Sequence, residues 1–195
     1  TGGGVLQVPN TIGLTVNNTS PTLASTVTMG TGANQSFGAT GSGANVVVLG
    51  AAGGQSATMT GALGVTQTVT LGNANQSVST GIGNDTINAT NVTIAGSTIT
   101  AGAGIDTITA GLGADTIVLG AAGDVDTIIM TTGGAIDVDT VTGFIVAGGE
   151  DELQVDLSDL NGLDSGTFQL ANGSGALATG ATGTLTVTAL ASAAG

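Results

Sequence analysis

The residues with the clearest chemical potential are aspartates that recur in one short phrase. Asp106 and Asp115 lie nine positions apart in AGAGIDTITAGLGADTIVLG, and each follows a glycine-containing turn signal and precedes Thr-Ile. Carboxylates can bind cations, work in acid–base pairs or accept hydrogen bonds in turns. The regular spacing favours a role that the fold repeats from one turn to the next.

No side chain in the sequence can neutralise these carboxylates. The 195 residues include 13 Asp and Glu but no Lys, Arg or His, so the formal net charge is −13. An oxygen-only ligand set suits a hard divalent cation such as Ca²⁺. Nucleic acid is disfavoured as a partner because phosphate binding needs Lys or Arg. The lack of a continuous apolar span predicts no direct membrane insertion.

The composition favours short strands and tight turns and argues against catalysis. Glycine accounts for 36 residues, and β-branched residues alternate with Thr and Ser. Cys, His, Lys, Arg and Tyr are all absent, so nucleophilic triads, zinc sites and phosphate-transfer loops each lack a required member. Paired carboxylates could serve a glycosidase, but Trp and Tyr, which stack on sugars, are absent. We therefore expect no enzymatic activity.

A repeated phrase organises the middle of the chain. Aligning TGIGNDTIN, AGAGIDTIT, AGLGADTIV and GAAGDVDTII on their Asp gives a G-x-G-x-D-x-U-x pattern, in which U is a large aliphatic residue. This pattern is a signature of β-solenoids. Glycines supply the tight turn, Asp ends it, and a short strand follows with its central residue inward and its flanking Thr outward. The predicted inward column is Ile87, Ile108, Ile117 and Ile128.

These phrases resemble the calcium-binding nonapeptide repeats of the RTX family, whose pattern is G-G-x-G-x-D-x-U-x. The resemblance implies an all-β fold, the right-handed parallel β-solenoid or calcium β-roll of secreted bacterial toxins, proteases, adhesins and surface-layer proteins. The first glycine of the pattern is replaced by Thr80, Ala101 and Ala110, which weakens the backbone ligand at that position. The metal ligands implied are the carboxylates of Asp85, Asp106, Asp115 and Asp126, carbonyls near Gly83, Gly104, Gly113 and Gly123, and Asp124 as an extra acid.

The next segment, DTVTGFIVAGGEDELQVDLSDL from Asp139 to Leu160, resembles the segment that closes the roll after RTX repeats. Phe144 is expected to plug the open end of the aliphatic column, and Asp151 joins the candidate ligands. Asp137 and Asp139 are either ligands or exposed residues, and both alternatives stay open. The matching positions are Asp139, Val141, Phe144, Gly149, Asp151, Leu153, Asp156, Leu157 and Ser158, whereas Asp159 and Asp164 are expected to be solvated.

The charge distribution divides the chain into three parts. Every acidic residue lies between Asp85 and Asp164. Residues 1–80 form a neutral β-rich segment, residues 81–160 the calcium β-roll with its cap, and residues 161–195 a strand, TLTVTAL, with a linker or assembly segment. In the neutral segment Asn or Gln replaces Asp, and the Asp-like slot is assigned to Asn34, Asn45 and Asn75. This segment is either a metal-free continuation of the solenoid or a β-sandwich docked on it.

The sequence predicts a calcium-dependent structural protein of the bacterial cell exterior. Its partners would be copies of itself in a surface layer (S-layer) or an extracellular filament. The alternative is a calcium-folded RTX module of a larger secreted adhesin or enzyme, and the initial Thr1 is interpreted as the start of a processed piece. Thr-x-Thr pairs such as Thr68/Thr70 and Thr107/Thr109 suggest ice binding, but their uneven spacing argues against it.

Overall fold

The computed structural model describes residues 4–120, 124–131, 138–145, 151–156, 170–171 and 183–188. Within these ranges every regular element is a β-strand. In chain order the strands are β1 (Gly4–Gln7), β2 (Thr15–Asn18), β3 (Ser25–Thr28), β4 (Ser36–Ala39), β5 (Val46–Val48), β6 (Ser56–Met59), β7 (Thr68–Thr70), β8 (Ser77–Ser79), β9 (Thr86–Asn88), β10 (Thr98–Thr100), β11 (Thr107–Thr109), β12 (Thr116–Val118), β13 (Thr127–Thr131), β14 (Val138–Phe144), β15 (Glu152–Asp156), β16 (Leu170–Ala171) and β17 (Gly183–Thr188).

Successive strands alternate between two sheets. The odd-numbered strands from β1 to β15 form one sheet in numerical order, and the even-numbered strands from β2 to β14 form the other, which β17 and β16 extend. Neighbours are parallel, except that β17 pairs antiparallel with β14 and β16. One strand from each sheet with its two turns makes a coil, and the seven coils from β1–β2 to β13–β14 stack as a right-handed parallel β-solenoid. The predicted fold class is confirmed.

The neutral N-terminal strands belong to the same two sheets. Strand β7 pairs in parallel with β9, and β8 pairs in parallel with β10. The solenoid therefore runs from the neutral segment into the acidic one, and the docked-sandwich alternative is wrong. The physical reason is that Val27, Phe37 and Val47 occupy the same inward strand positions as the later isoleucines.

The core lies between the sheets and is built from the central residues of the strands. The predicted inward residues Ile87, Ile108, Ile117 and Ile128 are all fully buried, as predicted. They form two columns, because Ile108 pairs with Ile87 and Ile128 in one sheet, whereas Ile117 lies in the other beside Ile99. Burying each isoleucine contributes roughly 1.5–3 kcal/mol, so this core holds the turns at a fixed distance from each other.

The outer faces keep their register although the coils differ in length. From one coil to the next the offset ranges from 18 residues, between Thr68 and Thr86, to 25, between Thr127 and Glu152.

The Thr68/Thr70 pair and the Thr107/Thr109 pair share one sheet, but β9 between them presents Thr86 and Asn88. The described strands thus lack one Thr pair per coil on this face, which agrees with the prediction against ice binding.

The closing segment is described in part. Phe144 is buried in the core cluster and Leu153 packs against it, as expected for the cap. The first five residues of the predicted strand TLTVTAL lie in β17, and its last two, Ala189 and Leu190, lie outside the described residues. No helix long and apolar enough to cross a membrane occurs in the described ranges. Gly149, Leu157, Ser158, Asp159 and Asp164 lie outside the described residues.

Candidate metal centre

The predicted aspartate ligands Asp85, Asp106, Asp115 and Asp126 occupy one equivalent position of each half-coil. This position lies two residues before the inward central residue of a strand. Residues at this position of the odd-numbered strands form row 1, and those at this position of the even-numbered strands form row 2. Asp106 and Asp115 are nine residues apart and therefore lie in different rows. Row 1 contains Asn45, Gln67, Asp85, Asp106, Asp126 and Asp151, and row 2 contains Gln35, Gln55, Gln76, Ser97, Asp115 and Asp139.

Backbone hydrogen bonds aim the carboxylates along each row. In row 1, Asp106 Oδ1 accepts the backbone N–H of Asp85 at 2.7 Å, and Asp126 Oδ1 accepts that of Asp106 at 2.9 Å. In row 2, Asp139 Oδ1 accepts the backbone N–H of Asp115 at 2.7 Å. Each bond joins one coil to the preceding coil at the equivalent position. The acids are therefore stacked one above another along the solenoid axis.

These stacked acids are buried without cationic partners. Asp85, Asp106 and Asp115 are at most 1% exposed, and Asp139 is 4% exposed, so the exposed alternative for Asp139 is wrong and its role as a ligand stays a prediction. Among the described residues, Asp85 Oδ2 and Asp106 Oδ2 have no hydrogen-bond partner. The Thr80 hydroxyl lies close enough to lower the pKa of Asp85 in part, but it donates its proton to the Ala101 carbonyl at 2.6 Å. A buried carboxylate without compensation costs several kcal/mol. The arrangement therefore requires either protons or a bound cation.

Burial makes these acids hold their protons more tightly. Loss of hydration is the main cause that raises the pKa of Asp106 from 3.8 to about 7, and the neighbouring carboxylates of Asp126, Asp85 and Asp124 act in the same direction. Burial, followed by the charges of Asp151 and Asp124, raises the pKa of Asp126 to about 6. Burial also raises the pKa of Asp85 and of Asp115. The folded state therefore binds protons that the unfolded chain releases.

In the presence of a chelator, we expect the chain to be more stable at acid than at alkaline pH. Folding raises the pKa of Asp106 to about 7 and that of Asp126 to about 6. The stability contributed by their protonation is complete below about pH 4 and is lost as the pH rises through about 6 to 7. Thermal unfolding in EDTA should therefore show a melting temperature that falls with pH. A melting temperature that stays constant or rises over this interval would contradict the assignment.

The oxygen atoms around the acids can be compared with the groups at the equivalent positions of a neutral coil. In row 1, Asn45 Nδ2 donates to the carbonyl of Gly43 at 2.8 Å and to Gln67 Oε1 at 2.9 Å. By register, the equivalents of these two acceptors for Asp85 are the Gly83 carbonyl and the Asp106 carboxylate. In the neutral coil, the NH₂ group of Asn45 thus lies between two oxygen acceptors. At the same positions the acidic coils have only carboxylate and carbonyl oxygens. Oxygen ligands of this kind fit Ca²⁺.

Backbone oxygens must take part in any such site. Within the described residues, no three acidic side chains converge closely enough to hold a metal ion by themselves. Gly83 and Gly104 adopt φ angles of +138° and +121°, and Gly104 packs directly over the Gly83 carbonyl. Only glycine permits this approach. The candidate donors are thus side-chain and main-chain oxygens of successive turns together.

The remaining predicted ligands take different positions. Asp124 lies at the register position of Gly104 in the next coil, where its Oδ2 accepts the Gly104 N–H at 2.9 Å. Both Asp151 oxygens accept backbone N–H groups, from Asp126 and from Ile145. Gly113 lies in a turn of row 2 and donates its N–H to the Val92 carbonyl at 3.0 Å. Gly123 and Asp137 lie outside the described residues.

The sequence prediction assigned part of the neutral rows one residue too early. Asn45 occupies the Asp position, as predicted, but Asn34 and Asn75 adopt φ angles of 57° and 56° and form the left-handed step of the turn. The following residues, Gln35 and Gln76, occupy the row instead. A signal for this was present in the sequence, because each glutamine of the rows precedes Ser or Thr, and every Asp of the rows except Asp151 precedes Thr. The glutamines overlooked are Gln35, Gln55, Gln67 and Gln76.

Comparison with known proteins adds no family assignment. No protein-family model matches the sequence, and neither the curated proteins nor the solved structures include a significant match.

Proposed function

We propose that this chain is a calcium-folded structural protein of the bacterial cell exterior that self-assembles into a surface layer or an extracellular filament. The observation that carries the proposal is the pair of buried, unpartnered oxygens Asp85 Oδ2 and Asp106 Oδ2 in the described region. The whole sequence contains no cationic side chain that could compensate them. The resemblance of the acidic repeats to RTX sequences supports the choice of ion and an extracellular location.

The two carboxylate oxygens of a row aspartate such as Asp106 would have different roles, one in folding and one in ion binding. Oδ1 of Asp85 and of Asp106 accepts an N–H of the preceding coil, so Oδ2 of these two residues and the turn carbonyls would be left for a cation. Bound Ca²⁺ would supply the positive charge that offsets repulsion along the row. Because these oxygens come together only when coils stack, the free energy of ion binding would stabilise the fold.

The N-terminal end of the solenoid supports self-assembly. Within the described ranges, strands β1 and β2 are the end strands of their sheets, and the edge of an end strand can pair with a strand of another chain. Val5 is 75% exposed and Ile12 74% exposed near this end. A cavity of about 340 Å³ opens there, lined in part by Val16, Val27 and Phe37. Residues 1–84 carry no charged side chain, so contacts between copies at this end would meet little electrostatic repulsion.

A second candidate is a calcium-folded RTX module of a larger secreted adhesin or enzyme. The observation that favours it is the cavity near Phe37 at the N-terminal end of the solenoid. A further coil of the same polypeptide could cover this cavity, just as a second copy of the chain could. Such a module would remain unfolded at the low calcium concentration of the cytosol and would fold after export. The two candidates differ in whether the isolated chain assembles.

Electron microscopy of the purified chain in calcium and in excess EDTA tests the proposal. We expect ordered sheets or fibres in calcium that disperse in EDTA, with an equal concentration of Mg²⁺ as the control ion because Mg²⁺ demands a stricter octahedral geometry. Assemblies that persist unchanged in EDTA would contradict the calcium dependence. A chain that folds with calcium yet remains monomeric would contradict self-assembly and favour the module.

A further inference from the structure

The neutral coils carry a side-chain amide where the acidic coils carry a carboxylate, and this amide bonds to the preceding coil. In row 2, Gln55 Nε2 donates to the carbonyls of Gly30 at 2.7 Å and Gly32 at 2.8 Å. Gln76 Nε2 donates in the same way to Gly50 at 2.7 Å and Ala52 at 2.9 Å. One NH₂ group therefore joins two carbonyl oxygens of the adjacent turn.

The acidic coils retain only the acceptor half of this arrangement. Gln76 Oε1 accepts the N–H of Gly72 in its own turn at 2.9 Å, and Asp115 Oδ2 accepts the N–H of Gly111 at 3.0 Å. An ionised carboxylate has no proton to donate to carbonyl oxygens of the preceding turn. Glutamine and aspartate at this row position thus differ in one respect. Only glutamine has a side-chain NH₂ group, and the positive end of this group bridges two coils.

Row 1 repeats the relationship with a different pair of side chains. The Gly43 carbonyl accepts hydrogen bonds from Asn45 Nδ2 at 2.8 Å and from Gln67 Nε2 at 3.1 Å. Beyond these amides the row continues with Asp85 and Asp106, whose Oδ2 atoms have no partner among the described residues. Both rows therefore change from bridging amides to carboxylates along the solenoid, directly in row 1 and through Ser97 in row 2.

We infer that the side-chain NH₂ groups of the neutral rows act as built-in substitutes for the divalent cation, so that the coils up to Gln76 fold without metal and form a template for the acidic coils. This inference rests on the proposed calcium-dependent fold. Because each coil contacts only its neighbours, stability spreads from coil to coil. A neutral block that is stable by itself offers a preformed sheet edge to the coil that follows.

The junction between the two blocks is suited to this role. The backbone N–H of Gln67, the last amide of row 1, donates to Asp85 Oδ1 at 2.7 Å. Strand β7 pairs with β9, and β8 pairs with β10, without a break in register. The first acidic coil can therefore dock on hydrogen-bonding groups that the neutral block already holds in place. Calcium is required only from that coil onwards.

Hydrogen exchange with mass spectrometry on the full chain, in EDTA and in calcium, tests this inference. In EDTA at about pH 8, we expect amides of β4 to β8 to be protected at least ~100-fold more than amides of β10 to β12. Calcium should protect both regions. Equal protection of both regions in EDTA would overturn the template. Loss of protection along the whole chain in EDTA, with recovery in calcium, would also overturn the template but would leave the proposed function intact. If calcium changes the protection of neither region, both the template and the proposed function are refuted.

Two substitutions at Gln55, which is fully buried, separate charge from packing. Gln55→Glu should lower protection of β4 and β6 in EDTA at least ~10-fold, and calcium should restore it because the coil now resembles an acidic one. Gln55→Met removes the donor without adding charge, so calcium should not restore its loss. Gln7→Glu, on the exposed first strand, is the matched control and should leave protection unchanged. Identical behaviour of Gln55→Glu and Gln7→Glu would overturn the inference.

Discussion

Replacement of Asp106 with Asn is expected to stabilise the calcium-free chain by about 3 kcal/mol at about pH 8. Asp106 is fully buried, its Oδ2 has no partner within the described part of the chain, and its pKa is raised to about 7, so ionisation opposes folding at this pH. Asn45 shows the contacts that an amide makes at the same row position, with a carbonyl of its own turn and the next side chain of the row. The substituted side chain would gain these donor contacts and lose the charge.

Unfolding monitored by circular dichroism, in EDTA and in calcium, measures this effect. Calcium should stabilise Asp106→Asn less than it stabilises the parent chain, because one carboxylate ligand is lost. Glu152→Gln is the matched control, since Glu152 is exposed on β15 and directly follows Asp151 of row 1. Destabilisation of Asp106→Asn in EDTA, or an unchanged response to calcium, would contradict the assigned role of Asp106.

Replacement of Gly104 with Ala is expected to destabilise the chain by about 3 kcal/mol or more. Gly104 has a φ of +121°, which side chains other than glycine rarely adopt, and an added Cβ would overlap the carbonyl oxygen of Gly83. That oxygen belongs to the backbone of the preceding turn, so relief of the overlap would require movement of the turn itself. The substitution therefore separates two coils at the point where their carbonyl and carboxylate oxygens lie together.

Gly64→Ala provides the control for Gly104→Ala. Gly64 also has a positive φ, of +74°, but an added Cβ would have no neighbour within 4 Å. Its substitution should cost only the backbone strain, about 1 kcal/mol. The difference between the two variants in urea-induced unfolding reports the contact between turns. Equal losses of stability would show that strain alone explains the effect and would contradict the close packing of Gly104 on Gly83.

The repeated Asp-Thr-Ile phrases were sufficient to predict the solenoid and its inward isoleucines. The period of an inward Ile and outward Thr is local, so it can be read from a few residues around Asp106 and Asp115. The division into two rows was not evident, because a nine-residue step spans half a coil and places these two residues on opposite rows. Unequal turns, which give offsets of 18 to 25 residues, hide the full coil period in the sequence.

The neutral coils were harder to align because two polar residues compete for the same assignment. In the dipeptides Asn34-Gln35 and Asn75-Gln76, either side chain could fill the Asp-like position. The left-handed φ of each Asn decides the matter, and a single sequence does not reveal that angle. The bridging role of Gln55 depends on carbonyls of Gly30 and Gly32, which are 25 and 23 positions away. Only the stacking of the coils brings these groups together.

The most direct test of the account is a calcium titration of the chelator-treated chain at about pH 8, followed by far-ultraviolet circular dichroism. The buried acids of rows 1 and 2 predict a saturable increase in β-sheet signal, added to a β-sheet signal that the neutral coils already give in EDTA. A spectrum that is the same in EDTA and in saturating calcium would contradict the central claim that calcium completes the fold of the acidic coils.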